Sequence, residues 1–309
     1  MPVVTLGSEV AAGETGPYAA DLSDRLLRRF AYQAGRVAKA PLPDDVHDLR
    51  VAIRRLTQVL TALGSCFSAR ETKKIKRRLK GIMDLAGAVR NYDIAVELLS
   101  KSKAAPDSLL ALFRSQRRSA ERELTGALKR LSQRRAYSRW RAALDASDRG
   151  ATSHDSTAVT AKAVLEPMLT DFLARGKQVL KHKAPAARTH RLRVAAKKLR
   201  YTMELFAPVC GPSVDEWIGK IRALQGVLGS ISDCEMVRAM IEVHGGNRKI
   251  DASLRRKVRR KLGEFRALWT QEFSSPSGDG LIKQMRPPNK PAACARRHGE
   301  HNRPRAAHA

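Results

Sequence analysis

The chain has 309 residues, enough for one large domain or two of ordinary size, and 43% of them are apolar, enough to bury a core. Lysine and arginine number 59 against 30 acidic residues, a formal charge of +29. So large a surplus exceeds what solubility requires and points to a polyanionic partner: nucleic acid, an anionic membrane surface or a polymeric phosphate.

From Pro17 onward apolar residues recur with a period of about 3.6, and alternating β-type stretches are hard to find, so the expected fold is all-α. The spacing predicts helices over 19–39, 45–64, 70–87, 91–101, 106–132, 136–146, 157–183, 187–206, 213–229, 232–244 and 250–272. Glycine and proline punctuate them: Pro41 and Pro43, Gly64, Gly87, Pro106, Gly150, Pro185, Pro208, and the Gly245-Gly246 pair. Residues 1–16 are expected to be flexible, 17–273 to form the folded domain, and 274–309 to be a disordered basic tail, because positive residues there have little apolar company. Cys66, Cys210, Cys234 and Cys294 show no CxxC pair or zinc spacing, Met1 to Glu14 lacks the features of a secretory signal, and no run approaches the ~18 apolar residues of a membrane span. A soluble, cytoplasmic protein with reduced cysteines and no cofactor is expected.

One segment occurs twice. V-H-D-L-R-V-A-I-R-R-L, from Val46 to Leu56, returns as T-H-R-L-R-V-A-A-K-K-L, from Thr189 to Leu199. On a helical wheel Leu49, Ile53, Leu56, Leu60 and Leu63 form one stripe, opposite His47, Arg50, Arg54 and Arg55. The second copy sets Leu192, Leu199, Met203 and Phe206 against His190, Arg193, Lys197 and Lys198. Asp44 and Asp45 precede His47 in the manner of N-cap residues. The duplication extends to L-A-G-A-V-R-N-Y-D (Leu85 to Asp93) and V-L-G-S-I-S-D-C-E (Val227 to Glu235), each read as a helix stopping at glycine, with Asn91 or Asp233 capping the next. Repeats of about 17–146 and 157–273 follow, each a bundle of about four helices.

The two histidine segments resemble the signature of the CHAD family, the conserved histidine α-helical domain. That family carries a V-H-x-L-R-V-x-x-R-R-L type motif in its first half, matched at Val46 to Leu56, and an H-x-L-R-x-x-x-K-K-L-R-Y type motif in its second, matched at His190 to Tyr201. An L-G-x-x-x-D type element follows clearly at Leu228 to Asp233 and more loosely at Ala86 to Asn91. The resemblance implies two pseudo-symmetric bundles with a basic groove, and the binding of inorganic polyphosphate, often at polyphosphate granules, without chemistry of its own. Some relatives add a triphosphate-hydrolysing domain; no E-x-E-x-K type strand of that kind is found in this sequence.

Other readings compete. His47-Asp48 is the dipeptide of H-D type metal-dependent phosphohydrolases, yet the second copy reads His190-Arg191, and neighbouring arginines oppose a divalent cation. Acid–base chemistry needs a partner carboxylate and a nucleophile, and neither has a repeated candidate. A nucleic-acid backbone is the stronger rival, bound nonspecifically by counterion release. Base stacking, however, needs aromatic rings, and Tyr201 alone interrupts the cations. Membrane insertion lacks a spare apolar stripe. The expected contact set is thus His47, Arg50, Arg54 and Arg55 in the first half and His190, Arg193, Lys197, Lys198 and Arg200 in the second. Arg78 and Lys80, with their repeat partners Lys220 and Arg222, extend it. Each histidine, in the first turns of its helix, is as suited to phosphate as to packing.

Overall fold

The structure, a computed structural model, describes residues 13–145, 155–181 and 186–274, and their regular elements are all helices. In chain order these are α1 (Thr15–Lys39), α2 (Pro43–Ala62), a 3-10 turn (Gly64–Cys66), α3 (Ala69–Ser100), α4 (Asp107–Gln133), α5 (Ala136–Asp145), α6 (Thr157–Leu180), α7 (Ala186–Cys210), α8 (Ser213–Val243) and α9 (Arg248–Phe273). The flexible start expected at 1–16 and the tail at 274–309 fall mostly outside the described residues, although α1 already begins at Thr15.

The packing repeats as the sequence does. In the first half α1 packs on α2, α2 on α3, α3 on α4, and α4 returns to α1; α6, α7, α8 and α9 follow the same cycle in the second. Equivalent helices also meet across the halves, α2 with α7 and α3 with α8. At the starts of α1 and α6 the halves exchange reciprocal bonds. Thr15 donates its N–H and hydroxyl to the Asp155 carbonyl at 3.2 and 2.8 Å, and Thr157 donates the same groups to the Gly13 carbonyl at 3.2 and 3.0 Å. Among the described residues α5 has no second-half counterpart; it packs on α1, α3 and α4.

Two helices run through predicted glycine stops, and α7 carries on through Pro208, read as a break, to Cys210. Neither Gly87 nor Gly229 ends a helix: 70–87 and 91–101 are parts of α3, and 213–229 and 232–244 are parts of α8. An interior glycine costs only ~1 kcal/mol relative to alanine. Beyond it α3 buries Val89, Ala95 and Leu99, and α8 buries Ile231, Cys234, Val237 and Ile241, each large side chain contributing about 1.5–3 kcal/mol. Both helices therefore pass from the main core, which holds Leu79 and Leu224, into a second core that Phe113, Ile250 and Leu254 complete. Asn91 and Asp233 are consequently mid-helix residues, not caps. Asp44 and Asp45 also differ from the expectation: Pro43 opens α2, so both lie in its first turn, and Asp45 pairs with Arg36 at 2.7 Å.

The turn between α8 and α9 shows what a true glycine stop requires. Gly245 and Gly246 have φ of 92° and 69°, and the Gly246 N–H reaches back to the Ile241 carbonyl at 3.0 Å. The Asn247 side chain then caps α9 by accepting from the Ile250 N–H. At the far end of α9, Trp269 lies against α6 at Gly176, in a cluster with Phe172, Phe265 and Phe273. Cys66, Cys210 and Cys234 are buried.

Candidate functional site

Burial decides which way the basic helices face. Leu49, Ile53, Leu56 and Leu60 of α2 and Leu192, Leu199, Met203 and Phe206 of α7 are at most 1% exposed, so both predicted stripes are core. Their opposite faces turn into a shared groove of about 830 Å3. His47, Arg50 and Arg54 line it from α2, and His190, Arg193 and Lys197 from α7. Arg90 and Asn91 of α3, Asp233 and Glu235 of α8, and Arg191 with the first turn of α7 complete the walls. Arg90, Arg191, Asp233 and Glu235 escaped the sequence reading. The break expected after Gly87 leaves Arg90 between helices, the break after Gly229 makes Asp233 a cap and detaches Glu235 from the basic helix before it, and Arg191 stands in the sequence only as the replacement of Asp48.

The groove holds its cations close and poorly solvated. Arg50 donates to the Met83 carbonyl at 3.4 Å, and an added Cβ at Gly87 would lie 3.0 Å from its Nη1, so that glycine makes room for the guanidinium. Burial, then repulsion from Arg54, Arg193 and Arg90, pushes the Arg50 pKa down to about 10, still charged at neutral pH. Burial pushes the Lys197 ammonium down to about 7, and Arg193, Arg54 and Arg50 add to the effect. His47 is held below its ordinary value by burial and then by Arg54 and Arg90. Burial also lowers Arg193, opposed by Asp233, whose carboxylate lies 3.9 Å from the guanidinium and is itself raised by burial. The Nε atoms of Arg54 and Arg193 are buried donors without an acceptor among the described residues. Cations gathered this way are costly alone and favourable around an anion.

The one aromatic ring among the motif cations is already engaged. Tyr201 is 4% exposed, with the Arg200 guanidinium 4.3 Å and that of Arg54 5.8 Å from its ring centroid. No face of that ring is free for a base.

The remaining predicted contacts lie elsewhere. Arg55, Arg200 and Arg222 surround Glu204, a carboxylate 7% exposed. Arg55 reaches it at 3.1 Å, Arg200 also donates to Gln225 at 2.8 Å, and Arg222 stands 3.6 Å away. Glu204 was legible in principle, four residues after Arg200 on the same helix face. Lys198 faces α6 beside Asp171 and Arg175. Lys80 pairs with Asp84 at 2.7 Å, Lys220 pairs with Glu216 and Glu272, and Arg78 lines a separate hollow. Asp48, the acid of the H-D dipeptide, points to α1, where Gln33 donates to it at 3.4 Å. Among the described residues no three His, Cys, Asp or Glu side chains form a group suited to a metal, and no helix is long and apolar enough to cross a membrane.

Were the groove to hold an anion, Lys197 would make its affinity depend on pH. It is faced by His47, Arg50 and Arg54 from α2, Arg90 from α3, Arg193 from α7, and Asp233 and Glu235 from α8. A bound anion raises its pKa from about 7. The added affinity is full below that value and is lost as pH rises through the higher, anion-bound pKa. A rise of one unit corresponds to about tenfold. Titrations between about pH 6 and 8.5 should therefore show roughly tenfold weaker binding at the alkaline end, and Lys197→Arg should flatten the profile. An equally steep profile in that variant would reassign the dependence to another group.

Comparison with protein families matches residues 22–242 to the CHAD domain. Among solved structures, the CHAD domain from the plant Ricinus communis is similar at 19% identity with a TM-score of 0.65, covering 92% of this chain and 94% of its own. PptA from Streptomyces chartreusis is similar at 19% identity with a TM-score of 0.57, covering 84% of this chain and 100% of its own. No curated protein matches the sequence.

Proposed function

The chain belongs to the CHAD domain family, and from that premise we propose that it binds inorganic polyphosphate by multivalent electrostatic capture and performs no chemistry on it. The observation that carries this reading is the shared groove, where repeat-equivalent cations, Arg50 with Arg193 and Arg54 with Lys197, converge with unpaired guanidinium donors. Phosphate oxygens accept two parallel N–H bonds from arginine, and lysine adds a point charge. The first turn of α7, with Ala186, Ala187 and Thr189 on the wall, adds the positive end of a helix dipole. His47 and His190 stand at the rim as phosphate neighbours. Tyr201, covered by arginine, favours bare phosphate over bases.

Such a protein acts in the cytoplasm at polyphosphate granules, coating or tethering polymer. The decisive measurement compares orthophosphate, short and long polyphosphate, single-stranded RNA and duplex DNA at matched salt. Affinity is expected to rise with polyphosphate length, fall steeply with salt, and exceed that for either nucleic acid. Equal affinity for RNA and long polyphosphate would favour nonspecific backbone binding instead.

A further inference from the structure

A second concentration of positive charge lies outside the groove. Arg77 and Arg78 of α3, Arg130 and Arg134 from the end of α4, and Arg139 of α5 border a hollow of about 450 Å3. All five are exposed, no carboxylate lines the hollow, and none of the five forms an ion pair among the described residues. Some exposed cations on this surface do sit beside an acid one turn away, as Lys80 does with Asp84, Lys101 with Glu97 and Lys74 with Glu71.

The second half shows how the same place looks when neutralised. Lys220 occupies the position of Arg78 in the repeat, and it is held by Glu216 of its own helix at 2.7 Å and by Glu272 of α9 at 3.6 Å. Among the described residues the first half has no acid there. It has instead the helix without a counterpart, α5, which brings in a further arginine. The turn leading to α5 passes through left-handed backbone at Arg135, a non-glycine residue with φ of 48°. That turn sets Arg139 beside Arg130 and Arg134. Beneath the arginines, Ile82, Ala136 and Trp140 are buried in the main core and Leu85, Ala127 and Leu131 form a half-buried floor, so the five guanidinium groups are the charged chemistry offered to an incoming ligand.

We propose that this hollow is a second, outer site for a phosphate chain, present in the first half alone. Its ligand identity rests on the polyphosphate reading of the groove; its existence as an anion site rests on the unpaired arginines. Arg78 and Arg90 stand about 18 Å apart along α3 and about 120° apart around it, so the sites are separate faces of one rigid helix. A long polymer reaching both binds as a linked ligand, and a short one does not.

Calorimetry with tripolyphosphate and with a long polyphosphate tests this on the full chain, using Arg130→Glu/Arg134→Glu/Arg139→Glu and the milder glutamine triple. Wild-type protein is expected to take up two tripolyphosphate molecules and either triple variant one, with long-chain affinity falling about tenfold or more. Circular dichroism should show unchanged helicity, since all three positions are exposed. One tripolyphosphate per wild-type chain, with unaltered long-chain affinity in both variants, overturns the outer site and leaves the groove reading intact. Absence of any polyphosphate binding by wild type overturns both. Loss of RNA binding alone in the variants would make the hollow a nucleic-acid contact and overturn the phosphate-chain proposal.

Discussion

Arg54→Glu/Lys197→Glu is expected to weaken long-polyphosphate binding by at least 100-fold while leaving the thermal midpoint unchanged or raised. A hydrogen bond to a charged group contributes about 1.5–3 kcal/mol. Losing two such partners removes about 3–6 kcal/mol, and every 1.4 kcal/mol is tenfold. The stability half of the result follows from the neighbours. Arg54 and Lys197 stand among Arg50, Arg90 and Arg193, with Asp233 as the nearby acid. A glutamate at either site meets guanidinium groups that repelled the native cation. Binding lost with stability gained is what a ligand site predicts and a structural salt network does not. Titration of the double variant together with a melting curve checks both parts. Normal binding would show that the groove is not the site; a large drop in the melting midpoint would show the two cations to be structural.

The largest effect on stability is expected at the contact between α6 and α9. A methyl group at Gly176 would sit 1.7 Å from the Trp269 ring, and Trp269 is 1% exposed among Phe172, Phe265 and Phe273. A ring packed on several sides does not yield as the end of a lysine would. Gly176→Ala should therefore cost about 3 kcal/mol, the upper part of the range for overpacking. For a domain of this size that lowers the melting midpoint by ~6–12 °C. Trp269→Leu alone is destabilising through the cavity it leaves. In that background the added methyl finds space, so the two changes should cost less together than their sum. Polyphosphate affinity measured on folded Gly176→Ala should match wild type, because neither helix lines the groove. Strict additivity in the double variant would mean the two residues do not oppose one another.

The repeated motif makes the core stripes and the inner cations of α2 and α7 legible in the sequence alone. Periodicity told core from surface, and recurrence told Arg50, Arg54, Arg193 and Lys197 from ordinary solvated charge. Its failures have separate roots. Glycine was read as a stop at Gly87 and Gly229, where buried residues on both sides carry the helix through, and Arg90 and Asp233 were hidden with it. Arg55 and Arg200 lie outside the groove lining and beside a carboxylate, which a wheel does not show because it gives direction but not what stands opposite. Glu204, folded between them, pairs with both. The hollow beside α5 had no repeat to announce it.

The reciprocal threonine bonds at Gly13–Thr157 and Asp155–Thr15 have the form of an interface between identical subunits, written into a single chain. In a symmetric dimer each substitution is made twice, and a favourable change on one side is tied to its effect on the other. Joining the halves releases that tie. Arginine can stand at 54 while a proton-exchanging lysine stands at 197, and Gly87 can yield space to a guanidinium while Gly229 adjoins none. One side can serve as a fixed grip and the other as an adjustable one, a division of labour closed to two identical subunits.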